Sequence, residues 1–170
     1  LADAGDRSMT IANAVLGTAI HAPARGQIEV LEGALIETGA DGRIARVTPA
    51  GAAEHATRVK ALDASGALTR LSPTQVLIPG LVDAHWHGAQ GSDRLVPEQS
   101  WVNLASLAYG VTTLHDPSND TNEIFAAAEL QKAGAVVAPR IFSTGTILYG
   151  AKGDFKAEIN SLDDARNTLR

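Results

Sequence analysis

His85 and His87 flank Trp86 at the end of an apolar run, VLIPGLVDAHWHGAQGSD, from Val76 to Asp93. On a strand, residues two apart leave from the same face, so the spacing predicts two imidazoles side by side and an indole pointing the other way. Paired neutral imidazoles are ligands for a divalent cation: zinc is the first expectation, and iron or nickel suit the same donors. Such an ion, held by about three or four protein ligands with one position open, turns water into a nucleophile and polarises an electrophilic carbon. An HxH pair alone is only moderately specific, and its plain alternative is a pair of solvated histidines. Its place weighs toward chemistry, since parallel barrels carry their active sites at the carboxyl ends of their strands.

Other residues have competing readings. His115 and Asp116 end a second apolar segment, VTTLHD, and are expected at the same rim, either orienting a ligand or substrate from behind or closing the strand with an ordinary hydrogen bond. Asp83 lies two before His85 and shares its predicted face, but deeper, where backbone or a lysine is its natural partner. His21 and His55 read as solvated loop residues. Lys152 and Lys156 follow the third predicted strand, where neither makes a convincing bridging lysine.

The elements around these residues divide into two regimes. From Met9 to about Ala64 the sequence reads as short strands: MTIANAVL, GTAIHA, QIEVLEGALIETG, GRIARV and RVKALD, rich in Ile, Val and Thr and separated by turn residues. Asp41-Gly42 marks a tight hairpin turn. The stretch GAAEHAT reads as a loop or a single helical turn. After Ser72-Pro73, strand and helix alternate. LIPGLVDAH reads as a strand buried on both faces, followed by a helix over PEQSWVNLASLAYG with Pro97 in its first turn and Gly110 as its stop. VTTLHD is the next strand, then a helix opened by Asp120 and Glu123 and closed by Gly134. AVVAPRIFSTG is a third strand, and Ser161 caps a helix over SLDDARNTLR.

Three βα units in succession imply a parallel sheet. Eight would close a barrel of about 250 residues, of which this chain carries some three-eighths. The expected fold class is therefore α/β, with a small β-module over residues 1–75 and the first three or so units of a (β/α)8 barrel, incomplete, over 76–170. A doubly wound dinucleotide fold lacks support, because no GxGxxG follows any strand.

Bulk properties narrow the function. In 170 residues, 45% are apolar and 19% charged, which is ordinary globular usage and argues against wholesale disorder. The net charge of −5 leaves no basic stripe, so nucleic acid is not an expected partner. There is no cysteine, which removes disulfides and thiolates and leaves a His and carboxylate site. No run approaches a membrane span and no signal peptide is recognisable, so no membrane partner is expected; the compartment stays open, with the cytoplasm as the working expectation. The leading Leu suggests a processed, trimmed or partial chain. Exposed sheet edges in an unclosed barrel make a homo-oligomer or a non-catalytic fragment the alternatives.

The motif PGLVDAHWH resembles the first-strand signature of the amidohydrolase superfamily, whose members join a small β-sandwich to a metal-bearing (β/α)8 barrel. The resemblance implies that the first 75 residues form part of that sandwich and that His85 and His87 bind the more buried metal ion. It also implies that the remaining ligands, a lysine or glutamate in some subfamilies, two histidines and an aspartate, lie on later strands that this sequence lacks. Residues from about Gly17 to Val82 are similar to guanine deaminases, and Gln90 falls where those enzymes place a purine-contacting glutamine; its plain alternative is to cap its own loop. From about His85 onward, HWHGAQGSD, SWVNLASLAYGVTTLHDPSNDTNEIFAAAELQKAG and APRIFSTGTILYGAK resemble propeller-linked amidohydrolases related to imidazolonepropionase and prolidase-like enzymes. A hybrid of the two branches is an open expectation. The implied reaction is hydrolysis of a C–N bond in a small molecule: a purine, a cyclic amide or a dipeptide-like substrate.

Overall fold

The computed structural model describes residues 11–153 and 156–169, so Met9, Thr10 and Arg170 lie outside the described residues. The chain is a mixed α/β structure with several sheets, and it divides into two compact units, the first ending at Pro79 and the second beginning at Gly80.

In the first unit, β1 (Ile11–His21), β2 (Glu29–Gly39), β3 (Ile44–Thr48), β4 (Leu68–Arg70) and β5 (Val76–Leu77) form one five-stranded sheet in the order β3-β2-β1-β4, with β5 also on β1. The expected sandwich is thus, among the described residues, one sheet and a helix. MTIANAVL and GTAIHA, read as two strands, are one continuous β1, because Gly17 stays extended against Leu71 where a turn was expected. The Asp41-Gly42 turn closes the β2–β3 hairpin as its sequence requires: Gly42 adopts φ 75° and the Asp41 carboxylate accepts from the Arg43 N–H at 3.1 Å.

RVKALD is not a strand. It lies within α1 (His55–Ala64), whose half-buried residues His55, Arg58, Val59 and Leu62 recur at helical spacing. Arg58 anchors this helix to the sheet through a two-pronged pair with the fully buried Glu37, its Nε donating to Oε2 at 2.8 Å. His55 is not a solvated loop residue either, since its Nε2 lies 2.9 Å from the Gly33 carbonyl oxygen. His21 ends β1 and meets Glu29 at 2.9 Å.

The second unit is built on a three-stranded parallel sheet, β6 (Leu81–Asp83), β7 (Val111–Asp116) and β8 (Arg140–Ser143), in that order. The run LIPGLVDAH is split: Val76 and Leu77 pair with β1, and β6 starts only after Pro79-Gly80. Proline gives the ladder no donor, and a Cβ on Gly80 would lie 2.0 Å from Thr112 Oγ1. Helix α2 (Trp101–Ala108) joins β6 to β7, with Ser100 at its N-cap and Gly110 at φ 83° past its end. Pro97 therefore precedes the helix and is not in its first turn. Gln99 holds that segment out of the helix by exchanging two hydrogen bonds with the Val137 backbone, at 2.8 and 2.9 Å.

Helix α3 (Thr121–Lys132) joins β7 to β8 and matches its sequence signals. Asp120 caps it by accepting from the N–H groups of Asn122 and Glu123, and Gly134 at φ 72° follows its end. Leu114, Ile124, Ala127, Ala128 and Ile141 form the core between this helix and the sheet. The third strand is shorter than AVVAPRIFSTG, beginning after Pro139. Two short parallel strands with no clear sequence signal follow, β9 (Ile147–Tyr149) and β10 (Lys156–Glu158), before α4 (Leu162–Thr168), capped by Ser161 as expected.

Candidate functional site

The carboxyl ends of β6, β7 and β8 meet in a rim stitched together by backbone and amide hydrogen bonds. The Trp86 N–H donates to the His115 carbonyl at 3.0 Å, and Asn119 Nδ2 donates to the Gly88 carbonyl at 3.0 Å, which ties the segment after β6 to β7 and its loop. The Thr144 N–H donates to the Asp116 carbonyl at 3.3 Å and the Asn119 N–H to the Gly145 carbonyl at 3.2 Å, which ties β7 to the loop after β8. These bonds satisfy the backbone groups that the sheet ladder leaves open at its end.

His85 and His87 sit on this rim, but not by strand alternation. Strand β6 ends at Asp83, and His85 belongs to the turn that follows, where its N–H donates to Asp83 Oδ1 at 3.1 Å. Asp83 thus binds backbone. The two rings nevertheless face each other, with centroids 4.9 Å apart and planes inclined at 68°. Trp86 makes this possible by packing against the α3 core and over Gly88, where a Cβ would come within 2.2 Å of the indole. With the indole anchored inward, the flanking imidazoles are exposed.

Beneath His87 lies Asp116, fully buried. Its Oδ1 accepts from the Ser118 N–H at 2.9 Å and its Oδ2 from Asn119 Nδ2 at 2.8 Å, so both oxygens are held by uncharged donors. Oδ1 also stands 3.6 Å from His87 Nδ1, and the Ser118 hydroxyl lies 3.3 Å from the same nitrogen. Ser118 and Asn119 were not singled out in the sequence. Their signal was the turn-rich segment DPSND at the end of an apolar strand, which reads first as a helix cap.

The side chains of Gln90 and His115 are engaged elsewhere than at His85, His87 and Asp116. Gln90 is buried and spends its side chain on a reciprocal amide pair with the buried Asn103 of α2, at 2.9 and 3.2 Å. His115 alternates with the buried Leu114 and Asp116 along β7, so its ring leaves from the opposite face of the sheet, beside Phe142 of β8.

Among the described residues, no group of three or more His, Cys, Asp or Glu side chains is arranged to hold a metal ion. His85 and His87, the two ligands expected from the sequence, stand together edge to face with ring centroids 4.9 Å apart, and imidazole nitrogens are donors of the kind a divalent ion takes. No described helix is long and apolar enough to cross a membrane.

No family model matches this chain, and no curated protein matches it. Solved structures do. A prolidase candidate from Bifidobacterium longum matches with a TM-score of 0.62 and 23% identity, over 94% of this chain and 38% of that one. A Xaa-Pro dipeptidase with methionine bound in its active site gives 0.56 and 15%, over 79% of this chain and 34% of its own. Phenylurea hydrolase B gives 0.52 and 23%, over 79% and 30%. The chain thus spans little more than a third of the length of these structures at most, and what it shares with that portion of them is a fold.

Proposed function

We propose that this chain is a portion of a metal-dependent amidohydrolase, a hydrolase of C–N bonds in small molecules, and that His85 and His87 are two ligands of its divalent ion, most simply zinc, with iron or nickel as alternatives. The observation that carries this reading is the pair of exposed imidazoles, 4.9 Å between centroids, at the carboxyl end of a parallel sheet beside a buried carboxylate. The fold likeness to a Xaa-Pro dipeptidase and a phenylurea hydrolase supports it, since those proteins are named for the cleavage of C–N bonds. It also supports an incomplete barrel, as these chains are two to three times longer.

When bound, the ion supplies an acidified water and a Lewis acid for the scissile carbonyl or ring carbon. The chain's own residues prepare its place. Trp86 fixes the turn from below, Asp83 holds the His85 backbone, and Asn119 ties the loop to β7. Asp116 orients His87 from behind, while His115 contributes its carbonyl to the Trp86 N–H. Gln90 supports the same loop from its buried pair with Asn103, which leaves a substrate contact to other residues. A purine, a cyclic amide and a dipeptide-like molecule remain the candidate substrates.

Two imidazoles hold an ion less firmly than three or four ligands and leave proton transfer unassisted. The 170-residue chain is therefore expected to bind about one zinc, at least tenfold more weakly after His85→Ala or His87→Ala, and to turn over neither guanine nor dipeptides. Zinc competition against a chromophoric chelator measures the first. Unchanged affinity in both variants refutes the ligand assignment, and hydrolysis by the purified chain refutes the incomplete site.

A further inference from the structure

A neutral imidazole carries one N–H and one lone pair, and the nitrogen with the lone pair is the one that can bind a cation. We infer that Asp116 is a positioning residue that sets this choice in His87, keeping the proton on Nδ1 so that Nε2 presents its lone pair outward. The inference rests on the reading of His85 and His87 as an ion-binding pair and deepens it by naming the ligating atom and the group that selects it.

Three features of the structure carry it. Asp116 is fully buried and its two close hydrogen-bond donors, the Ser118 N–H and Asn119 Nδ2, are neutral, so its negative charge is solvated but not cancelled. Among the described residues, the basic side chain within ion-pair distance of that charge is His87, whose Nδ1 lies 3.6 Å from Oδ1. A lone pair on Nδ1 would face this carboxylate, whereas an Nδ1–H is attracted to it. Finally, the Ser118 hydroxyl, 3.3 Å from Nδ1, is free to accept the Nδ1–H. The His87 ring itself is exposed, so nothing inside the fold engages Nε2 among the described residues. The arrangement is the usual device by which a hydrogen bond on one ring nitrogen fixes which other nitrogen ligates.

Free histidine prefers the opposite tautomer, which makes the prediction readable without metal. Long-range proton–nitrogen correlation spectra of the metal-free chain, recorded on the neutral ring, are expected to show His87 mainly as Nδ1–H. Asp116→Asn should lower the ratio of Nδ1–H to Nε2–H at least about tenfold, while Ser118→Ala, which keeps the carboxylate, should leave Nδ1–H the majority form. A majority of Nε2–H in the wild-type chain overturns the inference, as does an unchanged ratio in a folded Asp116→Asn. If that variant does not fold, the wild-type spectrum alone decides. The metal reading is judged separately by zinc titration of the same sample: Nδ1–H without zinc binding sinks the ligand assignment and keeps the tautomer, and zinc binding with Nε2–H does the reverse.

Discussion

Glu37 in the first unit and Asp116 in the second are both carboxylates with no exposed surface, yet their surroundings differ in kind. Glu37 receives both prongs of the Arg58 guanidinium, which its hydrogen bond and charge hold above the ordinary arginine value. Its charge is cancelled where it stands. Among the described residues, Asp116 has only an amide N–H and a carboxamide, and the ring that approaches it belongs to an exposed histidine. A buried charge neutralised inside the fold fastens a helix to a sheet. A buried charge left to face an exposed imidazole is available, on the proposed reading, to orient that ring, and the contrast separates a structural ion pair from a candidate site.

Breaking the structural half should be the more costly. Arg58→Ala leaves Glu37 buried without a counter-charge, and removing one partner of such a pair costs about 3 kcal/mol or more. The loss should appear as a lower urea midpoint by far-UV circular dichroism; an unchanged midpoint would mean that Glu37 finds water once Arg58 is gone. On the other side, Gly88→Ala drives a methyl into the Trp86 indole and should cost about 1–3 kcal/mol as overpacking. Its distinguishing consequence is that the imidazoles lose their common anchor, so zinc affinity should fall with stability, measured on the folded variant.

The smallest effect concerns a partly exposed carboxylate that serves as a control for the buried two. Asp164 in α4 is held below the usual carboxylate range, first by its hydrogen bond with Ser161 and then by the Asn160 N–H. A depressed value in the fold means that this contact stabilises above the unfolded Asp value of about 3.9 and is lost as pH falls through the folded value. Ser161→Ala should move Asp164 back toward the ordinary range in a carboxyl-carbon NMR titration, and no movement would contradict the assignment.

Much of the framework of caps and turns was legible in sequence because its signals are local. Asp120 and Gly134 bound α3, Ser161 caps α4, and Asp41-Gly42 turns the hairpin. The misreadings share a different cause: they turned on partners distant in the chain. RVKALD became a helix whose Arg58 is matched by Glu37, 21 residues away, and Pro97 stayed outside α2 because Gln99 is tied to Val137. The site was legible in part for the same reason. HxH spacing indicated two rings on one side, and they do meet, but through a turn braced by Asp83 and Trp86 in place of the pleat. Ser118 and Asn119 carried no signal of their own beyond a turn, since their role depends on loops that only the sheet order brings together.

X-ray absorption at the zinc edge, on the chain loaded with one equivalent of zinc, tests the central claim most directly. The account predicts two imidazole nitrogens at about 2.0–2.1 Å, falling to one in His87→Ala. A wild-type spectrum with one imidazole or none, or an unchanged spectrum in the double variant His85→Ala/His87→Ala, would contradict it.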